Sequence, residues 1–201
     1  MPAKPAVTNG KDDGIPPRQR LLVAAADLFY REGIRAVGVE AIAEAAGTNK
    51  MTLYRHFPSK DELVAEYLRQ TAKQAEAVWD RLAKAHTGDP LAQLRAWFSE
   101  TAGHVADAGG RGCALANAAV ELPDKNHPAR RVIEEYKKEG RRRLIDLAKA
   151  ADLREPDMLA DELNLLLEGA RVSAQSVGSD GLGDRVARMG EAMIAAHRPK
   201  K

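Results

Sequence analysis

One cysteine, Cys113, is the only thiol in 201 residues, which excludes an internal disulfide. The alanines beside it suit a small packing residue better than a nucleophile paired with His104. The five histidines are widely separated, without the spacing or acidic neighbours of a metal site. A serine nucleophile elbow and a phosphate-binding glycine loop are missing too; Gly109, Gly110 and Gly112 read as a connection between helices. No catalytic group, metal or cofactor is therefore expected. No apolar run approaches about 18 residues and no basic-then-apolar order opens the chain, so a soluble, cytoplasmic protein without membrane contact is expected. Net charge is only +2, which excludes an indiscriminate polycation, yet it is uneven. Residues 1–60 carry nine Lys or Arg against six Asp or Glu, and the rest carry twenty-two against twenty-three. The small positive excess sits at the N-terminal end, where affinity for a polyanion must come from arranged contacts more than from bulk charge.

What the chain does have is helical periodicity along nearly its whole length, rich in alanine, with no strand-type alternation and no repeat. Pro16 and Pro17 open a helix whose Leu21, Ala25, Leu28 and Phe29 face a core and which ends at Gly33. The segment from Glu40 to Leu63 is the most informative. Ile42, Ala43 and Ala46 form a narrow apolar face that another helix can approach closely. Gly47 stops that helix, and Asn49 caps the next, running from about Lys50 to Phe57. There Leu53 and Phe57 face inward with Ile42, leaving Lys50, Met51, Thr52, Tyr54, Arg55 and His56 mostly outward. Cations, hydroxyls and ring donors on so thin a helix suit phosphate oxygens and base edges in a major groove. Ser59 and Glu62 then match a capping box, with Lys60 in the first turn of a third helix, which makes an anion site.

With its gapless run of Ile42, Ala43, Ala46, Gly47, then Thr52, Leu53, Tyr54, His56, Phe57, then Ser59, Lys60, Glu62, Leu63, the segment 18–68 resembles the DNA-binding domain of the TetR family of bacterial transcriptional repressors. The resemblance implies that Lys50, Met51 and Thr52 approach bases, while Tyr54, His56 and Lys60 hold phosphates; Arg55 belongs to the same outer face. Val37 and Gly38 stand where the family commonly has a threonine or serine, and Thr48 and Asn49 replace its valine and serine. A lost hydroxyl at 37 removes one phosphate contact, and Glu40 faces the DNA with the wrong sign. Arg18 and Arg20 lie near enough in such an arrangement to reach the backbone. The expected fold is all-α, with about nine helices in three parts: a disordered arm over residues 1–15, a helix-turn-helix domain over 16–62, and a helical bundle over 63–201 that binds a ligand and dimerises.

Breaks at Gly88 to Pro90, Gly109 to Gly112, Leu122 to Pro128, Arg154 to Pro156 and Gly178 to Gly183 divide that bundle into helices. The helix from Pro156 to Val177 is apolar over a wide arc, through Leu159, Leu163, Leu166, Leu167, Ala170, Ala174 and Val177, and must bury against more than its own core. The last helix, about Gly183 to Ala196, adds Val186, Met189, Met193 and Ile194. By the resemblance these two helices pair with their twofold mates, and Ala170, Ala174 and Gly190 permit close crossing. Three sets of polar groups lie on apolar faces and require partners: Trp97, Thr101 and His104; Cys113, Asn117 and Glu121; and Asn164, Arg171 and Gln175. Those partners are each other, water or a ligand, and together the sets form the candidate pocket, with Glu121 and Arg171 its charged members.

The expected protein is a homodimeric regulator bound to a palindromic double-stranded DNA operator and released by a small-molecule effector. Two other readings stay open: a helical enzyme or ligand carrier with an incidental helix-turn-helix, using His104, Cys113 and Glu121, and a constitutive DNA binder without ligand.

Overall fold

A computed structural model of the chain describes residues 14–105 and 111–199. The expected N-terminal arm therefore falls almost wholly outside the described residues, as do Gly109 and Gly110. Among the described residues the secondary structure is all-α: α1 Pro17–Glu32, α2 Val39–Ala45, α3 Lys50–His56, α4 Lys60–Ala85, α5 Pro90–Val105, α6 Ala114–Glu121, α7 Pro128–Ala150, α8 Pro156–Val177 and α9 Leu182–Ala196. Prolines lie in the first turn of α1, α5, α7 and α8, Gly33 and Gly178 follow α1 and α8, and Asn49 caps α3. None of these helices is long and apolar enough to cross a membrane.

The chain forms two compact units that do not follow sequence order. Among the described residues, one gathers 14–74 with Cys113–Glu134 and the other 75–105 and 111–112 with 135–199, so α4 and α7 each contribute to both. In the first unit α1, α2 and α3 pack on one another, with Leu21, Phe29, Ile42, Leu53, Phe57 and Leu63 buried. The Phe29 and Tyr67 rings meet at 5.7 Å between centroids. Residues 113–134 join this unit through polar as well as apolar contacts. Glu121 Oε2 accepts the Arg35 N–H at 3.1 Å, and His127 Nε2 faces Asp61 Oδ1 at 3.3 Å. His127 Nδ1 accepts the Ala129 N–H at 3.1 Å, capping the start of α7.

The second unit is built on α5, α8 and α9. Its core holds Trp79, Leu94, Phe98, Leu144, Leu159, Leu163, Leu167, Val186 and Ile194. A Cβ added at Gly190 would stand 2.0 Å from Phe98 Cε1, so α9 crosses α5 at a distance only glycine allows. The close crossing expected of Gly190 between two subunits is thus made inside one chain. Trp79 stacks on Trp97 at 4.7 Å and 16°, with the Arg143 guanidinium 5.8 Å from the Trp79 ring centre.

Candidate nucleic-acid interface

Helix α3 has seven residues, too short to hold its shape by propensity, and its ends are fixed by specific groups. The Asn49 side chain accepts the Thr52 N–H at 2.9 Å, and at the far end the Phe57 N–H donates to Leu53 O. Gly47, at φ +62°, makes the reversal before it with open space around the missing Cβ. With Leu53 and Phe57 anchored in the core, Lys50, Met51, Tyr54 and Arg55 are exposed, and Thr52 and His56 are half-buried. Met51 is 79% exposed.

Of the cations on this face, Lys50 is held. Lys50 Nζ donates to Glu40 Oε1 at 2.6 Å and lies 5.9 Å from the centre of the Tyr54 ring. That hydrogen bond holds the Glu40 carboxyl below its usual pKa and raises that of Lys50. At the next helix start the Glu62 N–H donates to Ser59 Oγ at 3.1 Å, so α4 is capped as its sequence predicts. Lys60 is half-buried with its ammonium 5.9 Å from the Phe29 ring centre, and desolvation lowers its pKa. Arg18 stands over the Phe57 ring at 5.1 Å and pairs with Glu66 at 3.1 Å, so its guanidinium already braces α1 on α4. Val37 is buried and Gly38 caps α2 without a side chain, so that helix start offers no hydroxyl.

The eight candidate ligand residues fall in both units. Asn117 and Glu121 come together, with Phe29, Tyr30, Ile34 and Tyr67, around a recess with room for roughly one water. Cys113, in the same unit, is buried at the start of α6. In the other unit the Trp97 ring is engaged by Trp79, the Thr101 hydroxyl donates to Trp97 O at 2.8 Å, and His104 is exposed. Arg171 pairs with Glu168 at 3.0 Å, and the Gln175 amide donates to Arg111 O at 2.7 Å. Several of these polar groups thus have partners within the protein, a use that helical spacing cannot distinguish from ligand binding.

The residues expected at a subunit interface also divide. Leu163, Leu167, Ala170 and Val186 are buried in this chain's own core, and Ala174 and Met193 are half-buried against it. The four buried residues keep almost no surface for a contact between subunits, whereas Ala174 and Met193 keep part of theirs. Val177 and Met189 are exposed. Sequence reading missed Met158, Leu165 and Val172, which leave 55%, 72% and 64% of their surface exposed along one side of α8. Their spacing of seven was the available signal, hidden because apolar residues occupy the other faces of that helix too.

Comparison with known proteins agrees with this geometry. The family model for bacterial regulatory proteins of the tetR family matches residues 21–67. The transcriptional activator FasR of Mycolicibacterium smegmatis is 39% identical over 70 residues, covering 33% of this chain and 32% of that protein. The transcriptional repressor KstR2 of Mycobacterium tuberculosis is 38% identical over 81 residues, 40% of each chain. The chain thus matches about two fifths or less of the length of these curated relatives. A crystal structure of a tetr-transcriptional regulator (sav143) from Streptomyces avermitilis superimposes with a TM-score of 0.79 at 33% identity, covering 91% of this chain and 98% of that one.

Proposed function

The chain belongs to the TetR family of bacterial transcriptional regulators, DNA-binding proteins and not enzymes, and from that premise we propose that it binds a palindromic operator as a homodimer and is released by a small molecule. The observation that carries this reading is α3: a capped helix anchored by Leu53 and Phe57, with Lys50, Met51, Tyr54 and Arg55 on its free side. In a homodimer two such helices enter successive major grooves, about 34 to 36 Å apart, and the operator inherits the twofold symmetry. Lys50, Met51 and Thr52 approach bases; Tyr54, His56 and Lys60 hold phosphates.

Met158, Leu165 and Val172 on α8, with Met189 on α9, support pairing with a second copy, because an apolar patch of this kind is costly to leave in water. The place of action proposed is the cytoplasm. The two named relatives act in opposite senses, one an activator and one a repressor. Repression is the reading adopted here. Release requires an effector that binds the two conformers unequally, with a coupling of about 1 to 3 kcal/mol. Helix α6 supports a route for it, since Glu121 is hydrogen-bonded to the backbone between α1 and α2. A ligand that moves α6 pulls on the same segment that orients the reader.

A gel shift with DNA from the protein's own promoter region tests the proposal. Binding is expected to fall by at least about tenfold in the combined variant Tyr54→Ala, Lys60→Ala, since each lost phosphate contact weakens binding and lowers the salt dependence. Binding indifferent to both changes removes the reading. The enzyme alternative, with Cys113 as nucleophile, is set aside with the family assignment.

A further inference from the structure

Glu40 places a carboxylate where phosphates are expected, exposed on the first turn of α2 and bonded to Lys50 Nζ at 2.6 Å. An exposed ion pair of this kind contributes little to stability, so folding does not account for it. The ammonium is held from two sides, by the carboxylate from α2 and the Tyr54 ring at 5.9 Å from α3. The result is a donor from α3 and an acceptor from α2 one hydrogen-bond length apart, both exposed.

Every base pair presents a matching couple at the centre of the major groove, a carbonyl and an amino group bonded to each other about 2.9 Å apart. In G·C the couple is guanine O6 with cytosine N4; in T·A it is thymine O4 with adenine N6. An ammonium over the carbonyl and a carboxylate over the amino group close a ring of four hydrogen bonds. Reversing the pair sets ammonium against amino group and carboxylate against carbonyl. The couple therefore reports which strand carries the keto base. Guanine adds N7 as a second acceptor beside O6, whereas thymine adds a methyl group, so guanine is preferred.

Resting on the DNA-binding reading above, we propose that Glu40 is a specificity-determining residue: with Lys50 it reads one G·C pair in each half-site, Lys50 donating to guanine O6 and N7 and Glu40 accepting from cytosine N4. The carboxylate also offsets the nonspecific attraction of Lys50 for phosphate, which trades bulk affinity for discrimination.

Selection from a randomised operator, sequenced for the wild type, Glu40→Ala and Lys50→Ala at one fixed salt concentration, tests this. The wild type is expected to prefer G over C at one half-site position by about tenfold or more, the range of a good bidentate contact. Both variants are expected to flatten that position while sparing the rest. Glu40→Ala is further expected to bind random DNA more tightly, with a salt slope steeper by about one. Because Glu40 is exposed, its alanine variant should keep the wild-type melting curve. Unchanged preferences in Glu40→Ala, or equal weakening on all sequences, overturn the proposal. A wild type that enriches no sequence overturns the DNA-binding reading itself and this inference with it.

Discussion

At the scale of single residues, the positions that matter most are those where one atom more or less changes the packing. Gly190 is such a position, since its missing Cβ leaves room for the buried Phe98 ring. Gly190→Ala is expected to destabilise the protein by about 1 to 3 kcal/mol or more, read as a lower melting temperature, because overpacking a rigid core forces side chains off their rotamers. A melting curve equal to the wild type would show that Phe98 moves aside freely. Asn49 acts through its side-chain oxygen, and Asn49→Ala is expected to cost about 0.5 to 2 kcal/mol of helix stability. Operator affinity should fall with it, whereas Asn49→Asp should retain both cap and binding. Both caps were legible in the sequence, Asn49 and Ser59 alike, since a cap is a local pattern over three or four residues. The partners of Gly190 and Glu121 were not, because they come from segments far away along the chain.

Among elements, α7 and α6 carry the testable electrostatics. On α7, Glu139 bridges Arg142 and Arg143, and those hydrogen bonds hold its pKa down at about 2 from an ordinary 4.5. A carboxylate depressed in the folded state stabilises the fold above its unfolded pKa and loses that contribution as pH falls from about 4.5 to about 2. The effect is modest, because the group is partly solvated. Glu139→Gln is expected to flatten the acid limb of the stability curve in that window and leave stability near neutrality only slightly lower. On α6, Glu121→Ala removes the bond to the Arg35 N–H, and operator affinity without any effector is expected to change while the melting temperature moves little. An unaltered affinity would show that α6 does not set the reader. Helix limits were read from proline, glycine and caps to within a few residues. The association of 113–134 with the N-terminal helices was not, since it rests on tertiary contacts that periodicity does not encode.

For the whole molecule the open question is assembly. Sequence reading chose Leu163, Leu167 and Val186 on α8 and α9, which this chain buries itself. Periodicity shows that a helix has several apolar faces; it does not show which face its own core takes. The exposed set predicts that Leu165→Glu with Val172→Glu turns the protein monomeric in analytical ultracentrifugation and abolishes tight operator binding. A variant that remains dimeric would place the contact elsewhere.

The most direct test of the central claim, that α3 is a free reading helix used in pairs, is a chemical footprint on DNA from the protein's own promoter region. The account predicts two protected major-groove patches on one face of the duplex, centred about 34 to 36 Å apart, both lost in the Tyr54→Ala, Lys60→Ala variant. A single patch, protection confined to the minor groove, or protection that survives in that variant would contradict it.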